Sequence, residues 1–422
     1  MKFLRNKLHT VLKLQHARNI GILVGGTAFS QLIAILILPI LTRIYSPEDF
    51  STFAIYTAIL SIITVIACLR FEIAIPIPKS DYEAQYLLLM SIISVFFITI
   101  VAIFILFIFQ PQINTITDNK LDNYLWLIPL GIFLAGLYNT FQYWATRQKN
   151  FTLIAKTRMT QSISGSFSQS IIGYIYLSPL GLLIGQIINI SSGIPKLIIF
   201  FYKSSKILPA NLNIQDIKTT LQKYKKFPLY STFEALADSA SIQLPIILIA
   251  YYTIGAEVGF LMLALRLLSA PTALISNAIA QIYLADGAKK YHEKKLKQFT
   301  YQTVILIAKI SIIPFILIAS ISPYLIPFIL GEDWHRTGVI ISLMTPCFFL
   351  QLLSSPISMA LHITNHQKTA LVLQVISLII RVGSIFIASA LFSSFFIESY
   401  ALSSAIFYSI YLIIILYTIR EY

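Results

Sequence analysis

Twelve apolar runs, each about as long as a bilayer is thick, follow one another along the 422-residue chain. They fall at 19–42, 50–69, 85–109, 123–145, 159–177 and 181–202, then at 228–252, 258–284, 300–327, 338–362, 369–392 and 397–418. Hydrocarbon offers backbone amides no partner, so a segment of about 20 apolar residues crosses it as a helix. Charged residues make up 11% of the chain, against roughly 25% in soluble domains. Too few charges remain to coat a water-facing surface. This excludes an ordinary cytosolic enzyme, a disordered chain and a coiled coil. The predicted fold is an all-α polytopic membrane protein with twelve transmembrane helices in two six-helix bundles and a central cavity.

The formal net charge is +14. In a soluble protein that would suggest nucleic acid, but here the basic residues cluster in short loops between apolar runs, so the charge reads as topology. With the N-terminus placed in the cytoplasm, 24 of the 31 Lys and Arg residues fall in inner segments and 3 in outer loops. That bias puts both termini on the cytoplasmic side of a multi-pass plasma-membrane protein. The first run follows Lys2, Arg5, Lys7, Lys13 and Arg18 and is too long for a signal-peptide core, so it is expected to remain as the first helix. Trp126 and Trp144 fall near opposite ends of the fourth run, where interface aromatics belong. Cys68 and Cys347 lie in apolar runs and read as packing residues.

The longest polar stretch, 203–226, follows the sixth run. It predicts an N-terminal bundle over 1–205, a basic cytoplasmic linker over 206–226 and a C-terminal bundle over 227–422. Leu38-Pro39-Ile40-Leu41 with Tyr45 recurs 206 residues later as Leu244-Pro245-Ile246-Ile247 with Tyr251, a weak sign of an internal repeat. Repeats of six spans each would be parallel, the arrangement of transporters with a substrate path between halves. The fifth run is the most polar, carrying Gln161, Gln169 and four serines between them. It is expected to face inward or to pack tightly, and the spacings Gly21/Gly25 and Gly181/Gly185 suit close packing.

Motifs for common chemistries are missing. No Walker loop, nucleophile elbow or His-Glu-x-x-His pair occurs. His362 and His366 are one helical turn apart without an apparent third ligand. No metal or cofactor is expected, and the chain reads as a transporter rather than an enzyme.

Charge inside a span is costly and marks function by default. Arg381 lies about twelve residues into the eleventh run, Arg266 about eight residues from the outer end of the eighth, and Lys309 in the ninth. Their guanidinium and ammonium groups would suit an anionic substrate such as a phosphate. Lys196 lies near the end of its run and can snorkel. Glu234 and Asp238 are i and i+4, on one helix face. They could hold a coupling H⁺ or Na⁺, or pair statically with Arg266 on the next helix.

Particular stretches resemble a known family. Leu41-Thr42-Arg43-Ile44-Tyr45-Ser46-Pro47-Glu48-Asp49-Phe50 is similar to the first outer loop of bacterial polysaccharide exporters of the O-antigen flippase (Wzx-type) family. Arg70-Phe71-Glu72-Ile73-Ala74-Ile75-Pro76 with Glu83-Ala84, Lys226-Phe227-Pro228-Leu229-Tyr230, and Gly259-Phe260 with Arg266, Pro271, Ala278 and Gln281 resemble later family patterns. The resemblance implies the fold of the multidrug/oligosaccharidyl-lipid/polysaccharide exporter superfamily. It implies translocation of polyprenyl-pyrophosphate-linked oligosaccharide repeat units across the bacterial inner membrane, for O-antigen, capsule or exopolysaccharide synthesis. It also implies a polysaccharide polymerase and a chain-length regulator as partners. Arg266 occupies a matching position as a pyrophosphate or sugar contact, whereas Lys309 and Arg381 rest on burial alone. Three rivals stand beside it: a drug/cation antiporter of the same superfamily, a flippase for the cell-wall precursor lipid, and a membrane glycosyltransferase or polymerase.

Overall fold

The computed structural model describes residues 21–22, 24–176, 178–204, 214–253, 255–364, 366–391 and 395–421. The basic residues before Arg18, the linker residues 205–213 and the side chain of His362 lie outside the described residues. Among the described residues there is no strand, and twelve long helices match the twelve runs in order. They are α1 (Val24–Ile44), α2 (Pro47–Thr64), α3 (Asp81–Ile108), α4 (Leu127–Arg147), α5 (Phe151–Tyr176) and α6 (Leu180–Ser204). After a short helix, Ile214–Tyr224, come α7 (Phe227–Tyr252), α8 (Glu257–His292), α9 (Leu296–Leu330), α10 (His335–Ser354), α11 (Gln367–Leu391) and α12 (Phe396–Thr418). Nine segments among the described residues are long and apolar enough to cross a membrane. The helices that fall short are α2, α4 and α5. Glu48 and Asp49 open α2, Asn139, Thr140 and Gln142 interrupt α4, and α5 carries the serines and glutamines noted above. The chain is a multi-pass helical membrane protein.

Local sequence sets the helix starts. At α2 the Ser46 backbone N–H donates to Asp49 Oδ2 at 2.9 Å, and the Asp49 N–H donates to Ser46 Oγ at 3.2 Å. This is a reciprocal capping box, with Pro47 at the first helical position, where its missing N–H costs nothing. The distinctive Ser-Pro-Glu-Asp stretch is therefore first of all a helix start.

The helices form two compact units, the first comprising Met1–Ile37, Ile63–Gln110 and Asn123–Ala235. Its core gathers Phe141, Trp144, Leu197 and Phe201 from α4 and α6. Trp144 is 1% exposed, packs edge-on against Phe201 at 5.1 Å and donates its indole N–H to Ser204 Oγ at 2.9 Å. It is a core residue, not an interface anchor; Trp126, by contrast, is exposed. Arg147 fixes the turn before α3, donating to Asp81 Oδ1 at 2.8 and 3.0 Å and to the Ile75 and Pro78 carbonyls. The helix Ile214–Tyr224 docks here too, through Lys223 to Glu83 and through buried Tyr224.

The polar helix α5 belongs to this unit and is held by close packing. A Cβ on Gly165 would sit 2.5 Å from that of Asn189, and one on Gly185 would sit 2.3 Å from Gln169 Cγ. Gln161 donates to the Ile190 carbonyl at 3.0 Å, and Ser162 donates to the Ser30 carbonyl at 2.7 Å. Small residues let the backbones approach, and the side-chain amides then bond across helices. On α1 the contact is made by Gly26 against Ala155; Gly21 and Gly25 have open space where a Cβ would be.

The second unit comprises Leu38–Ile62, Pro111–Asp122 and Leu236–Tyr422. It thus takes the C-terminal end of α1 and most of α2 from the first third of the chain. Trp334, 1% exposed, donates its indole N–H to the Thr42 carbonyl at 3.1 Å and meets Phe50 and Phe260 edge-on at 5.0 and 5.8 Å. Gly259 lets α8 reach the start of α2: a Cβ there would lie 2.1 Å from the Pro47 carbonyl oxygen. Lys120 donates to the Gly255 carbonyl at 2.9 Å and to Ser51 Oγ at 3.2 Å. Burial holds its ammonium below the usual lysine range. Arg336 bonds Glu398 at 2.8 Å and Glu257 at 3.4 Å, joining the first turns of α10, α12 and α8.

Candidate functional site: charged groups along the helices

Arg266 lies nine residues into α8, about 14 Å from its start by helical rise. Its side chain is half-buried, and its guanidinium makes no hydrogen bond or ion pair with a described residue. A cation held in an apolar span without a counter-charge is expensive.

Arg381 lies in a different environment. It is 4% exposed, and its guanidinium carbon stands 5.2 Å from the centre of the Phe407 ring and 5.3 Å from that of Tyr408. Its Nε has no hydrogen-bond partner among the described residues. Beside it, Ser384 donates to the Arg381 carbonyl at 2.8 Å and to Ser403 Oγ at 2.9 Å, so α11 and α12 are tied at this level. Two aromatic faces solvate the cation in place of water.

Lys309 is exposed on α9, thirteen residues from the helix start, among exposed Ile305, Ile310 and Ile313. Glu234 and Asp238 are both exposed on α7. The boundary between the two units falls between them, at Ala235 and Leu236. Asp238 is within electrostatic reach of Tyr411 on α12. Among the described residues, no electrostatic partner acts on Arg266. The helix that carries them opens with one π-type turn, Phe227–Ser231, and contains Pro245. Both features loosen the backbone ladder, and π turns recur at functional positions. His366 bonds its neighbour Thr364 at 2.9 Å, and no cluster of metal-ligating residues occurs among the described residues.

Charge counted within the spans misses Glu72, although it stands in one of the family-like motifs. It follows α2 in a four-residue helix, Phe71–Ala74. Leu69 and Arg70 before it have φ of +48° and +61°. Left-handed backbone at residues other than glycine costs about 1–2 kcal/mol each and tends to mark constrained sites. Glu72 is 4% exposed; its Oε1 is 3.9 Å from an Arg70 nitrogen, and its Oε2 has no hydrogen-bond partner among the described residues. Burial raises its pKa to about 7, against a smaller pull from the backbone and Arg70. The signal lay in the Arg-Phe-Glu motif, but only the tertiary structure shows that this carboxyl is enclosed.

A family model described as a polysaccharide biosynthesis protein matches residues 40–339. No curated protein matches the chain in sequence. Solved structures match in fold. One, titled as the inward-facing conformation of a multidrug resistance MATE family transporter of the MOP superfamily, is 14% identical, with 92% of this chain and 94% of that chain covered and a TM-score of 0.68. The lipid II flippase MurJ in an inward closed conformation is 16% identical over 94% of this chain and 87% of that one, with a TM-score of 0.69. The MATE multidrug transporter DinF-BH is 14% identical over 97% of this chain and 96% of that one, with a TM-score of 0.62. With its family model covering most of the sequence and its helices following those of MOP-superfamily transporters, the chain belongs to the polysaccharide biosynthesis protein family.

Proposed function

We propose that this protein is a flippase that moves polyprenyl-pyrophosphate-linked oligosaccharide repeat units across the bacterial inner membrane by alternating access, supplying O-antigen, capsule or exopolysaccharide synthesis. Both termini are cytoplasmic in this reading, as the lysine and arginine bias asks. Arg266 carries it: a guanidinium within a span, without an ion pair among the described residues, whose fork matches a phosphate bidentately. The family description points to polysaccharide, and one fold relative is named as a flippase of lipid II. A charged sugar headgroup crosses hydrocarbon only at prohibitive cost. A polar path open to each side in turn removes that barrier while the lipid chain stays in the bilayer.

Lys309 is a second contact for the headgroup in this proposal, and Arg381 sets the α11–α12 pair from behind its aromatic rings. Glu234 and Asp238 bind the coupling H⁺ or Na⁺. Glu72 is a further proton site, since a carboxyl poised near neutrality is what proton coupling requires. The bundles over 1–205 and 227–422 rock about the basic linker, and a polymerase and chain-length regulator take the product onward.

Deleting the gene tests the reading. Surface polymer should be lost while single repeat units on polyprenol accumulate on the cytoplasmic side. Normal polymer together with lost drug resistance would favour the antiporter reading, to which the two MATE relatives lend weight. Units that reach the outer leaflet and stay unjoined would indicate a polymerase.

A further inference from the structure

Between α8 and α9 the second unit carries a groove of about 430 Å³. Its walls include Ile275 and Ile282 on α8 and Leu306, Ile310 and Pro314 on α9, and Leu352 of α10 forms its floor. The wall residues Ile275, Ile282, Leu306 and Ile310 are 49–66% exposed, whereas Leu352 is 1% exposed. The groove is thus open along its length and closed behind. On α8 it extends from Ile275 to Asp286, about 16 Å by helical rise, or roughly half of a 30 Å hydrocarbon core. It is one leaflet deep.

One end of the groove is marked by charge. Beyond Asp286 and Phe299 the two helices are joined by a turn, and Lys289, Lys290, Lys294, Lys295 and Lys297 cluster there. Glu293 takes Lys290 at 2.8 Å and Lys289 at 3.9 Å. Lys294, Lys295 and Lys297 are exposed and form no ion pair among the described residues. An apolar slot of one-leaflet depth with ammonium groups at its mouth has the complement of an anionic lipid. Each lysine near a membrane surface attracts such a headgroup by about 1 kcal/mol. The flippase reading supplies the occupant: a lipid whose single chain carries a phosphate at its end.

We infer that the α8–α9 groove holds the isoprenoid chain of a polyprenyl phosphate-linked substrate in the cytoplasmic leaflet, with Lys294, Lys295 and Lys297 receiving its phosphate. This rests on the flippase reading and adds a place for the lipid chain. Arg266 lies 20 residues before Asp286 on α8, about 30 Å by helical rise, so it meets the headgroup only after the phosphate has left these lysines.

The test uses the full-length protein in phosphatidylcholine vesicles containing a polyprenyl phosphate with a diazirine in its chain, together with a polyprenyl-pyrophosphate-linked repeat unit whose flipping is followed separately. Illumination should label peptides covering 275–286 and 303–315. Thr303→Phe, which fills the slot, and the triple change Lys294→Gln, Lys295→Gln, Lys297→Gln should each lower that labelling at least tenfold, the equivalent of 1.4 kcal/mol. Lys149→Gln, at an exposed turn of the first unit, should leave it intact. If a diazirine-bearing phosphatidylglycerol labels the same peptides equally and competes, the site is a general anionic-lipid site and the inference is overturned. Labelling confined to other helices, with repeat units still flipped by the wild type, overturns the groove and leaves the flippase standing. Should the wild type flip no repeat unit in the same vesicles, the functional reading itself fails.

Discussion

The guanidinium of Arg381 lies 5.2 Å from the centre of the Phe407 ring, on the neighbouring helix. A buried charge facing two rings in a closed space is held by them, and they are ordered by it. Arg381→Ala would leave a cavity and two unsupported rings, a loss of about 2–5 kcal/mol by analogy with large-to-small core changes. The detergent-solubilised variant should therefore melt well below the wild type. A variant that melts normally but no longer flips substrate would return Arg381 to the substrate path.

Arg266 should behave in the opposite way. It has no hydrogen-bond or ion-pair partner among the described residues, so Arg266→Ala should leave insertion and melting temperature unchanged or slightly improved. Surface polymer should fall to background, and Arg266→Lys should restore only part of it, because an ammonium lacks the bidentate fork. Full polymer in Arg266→Ala at matched expression would refute the role.

Glu72 makes stability depend on pH. Its pKa is raised from 4.5 to about 7 when folded. Between those values the folded protein binds more protons than the unfolded chain, so its stability falls as pH rises. The stabilisation is complete below about pH 4.5 and gone above about pH 7, and on the order of 3 kcal/mol is at stake. The facing groups are Arg70, Cys68 and Tyr143. Glu72→Gln should flatten this decline, so that the variant melts several degrees above the wild type at pH 8. Parallel melting curves for the two proteins across this range would show that Glu72 is ionised throughout.

The contact of α8 with α2 leaves no room for a methyl group. Gly259→Ala should push α8 away from the Pro47 carbonyl and destabilise by about 1–3 kcal/mol, the usual cost of overpacking. Trp334→Phe keeps the aromatic contacts but loses the bond to Thr42, about 1 kcal/mol. Melting temperatures of the two variants should fall in that order. A Gly259→Ala protein as stable as the wild type would mean that α8 can shift along α2 without cost.

Much of the helical order was legible because lipid imposes one rule on every span. The apolar runs located the helices, and the Ser46-Pro47-Glu48-Asp49 stretch located a helix start by its capping chemistry. The side on which a polar residue lies was less legible. Helix α5 reads as polar in sequence, and its partners Asn189, Ile190 and Ser30 emerge only when α6 and α1 are in place. Trp144 has the sequence position of an interface aromatic, yet Phe201, 57 residues later, encloses it. Arg266 and Asp238 invite pairing on adjacent helices, but adjacency in sequence order does not set the rotation of one helix against another. Glu72 was hidden for the same reason: enclosure is a property of several segments, and a motif of three residues does not report it.

The aromatic seat of Trp334 has a consequence for how the protein is made. Phe50 emerges from the ribosome 284 residues before Trp334. At roughly 5–20 residues per second that delay is about 14–57 s. For that interval the end of α1 and most of α2 are already synthesised while the surface they pack against does not yet exist. They must wait as a helical hairpin in lipid, with Thr42 and the start of α2 unsealed. Assembly of the second unit is therefore an act of closure late in translation, and lesions at Trp334 should appear in cells as proteolysis of the nascent amino-terminal hairpin.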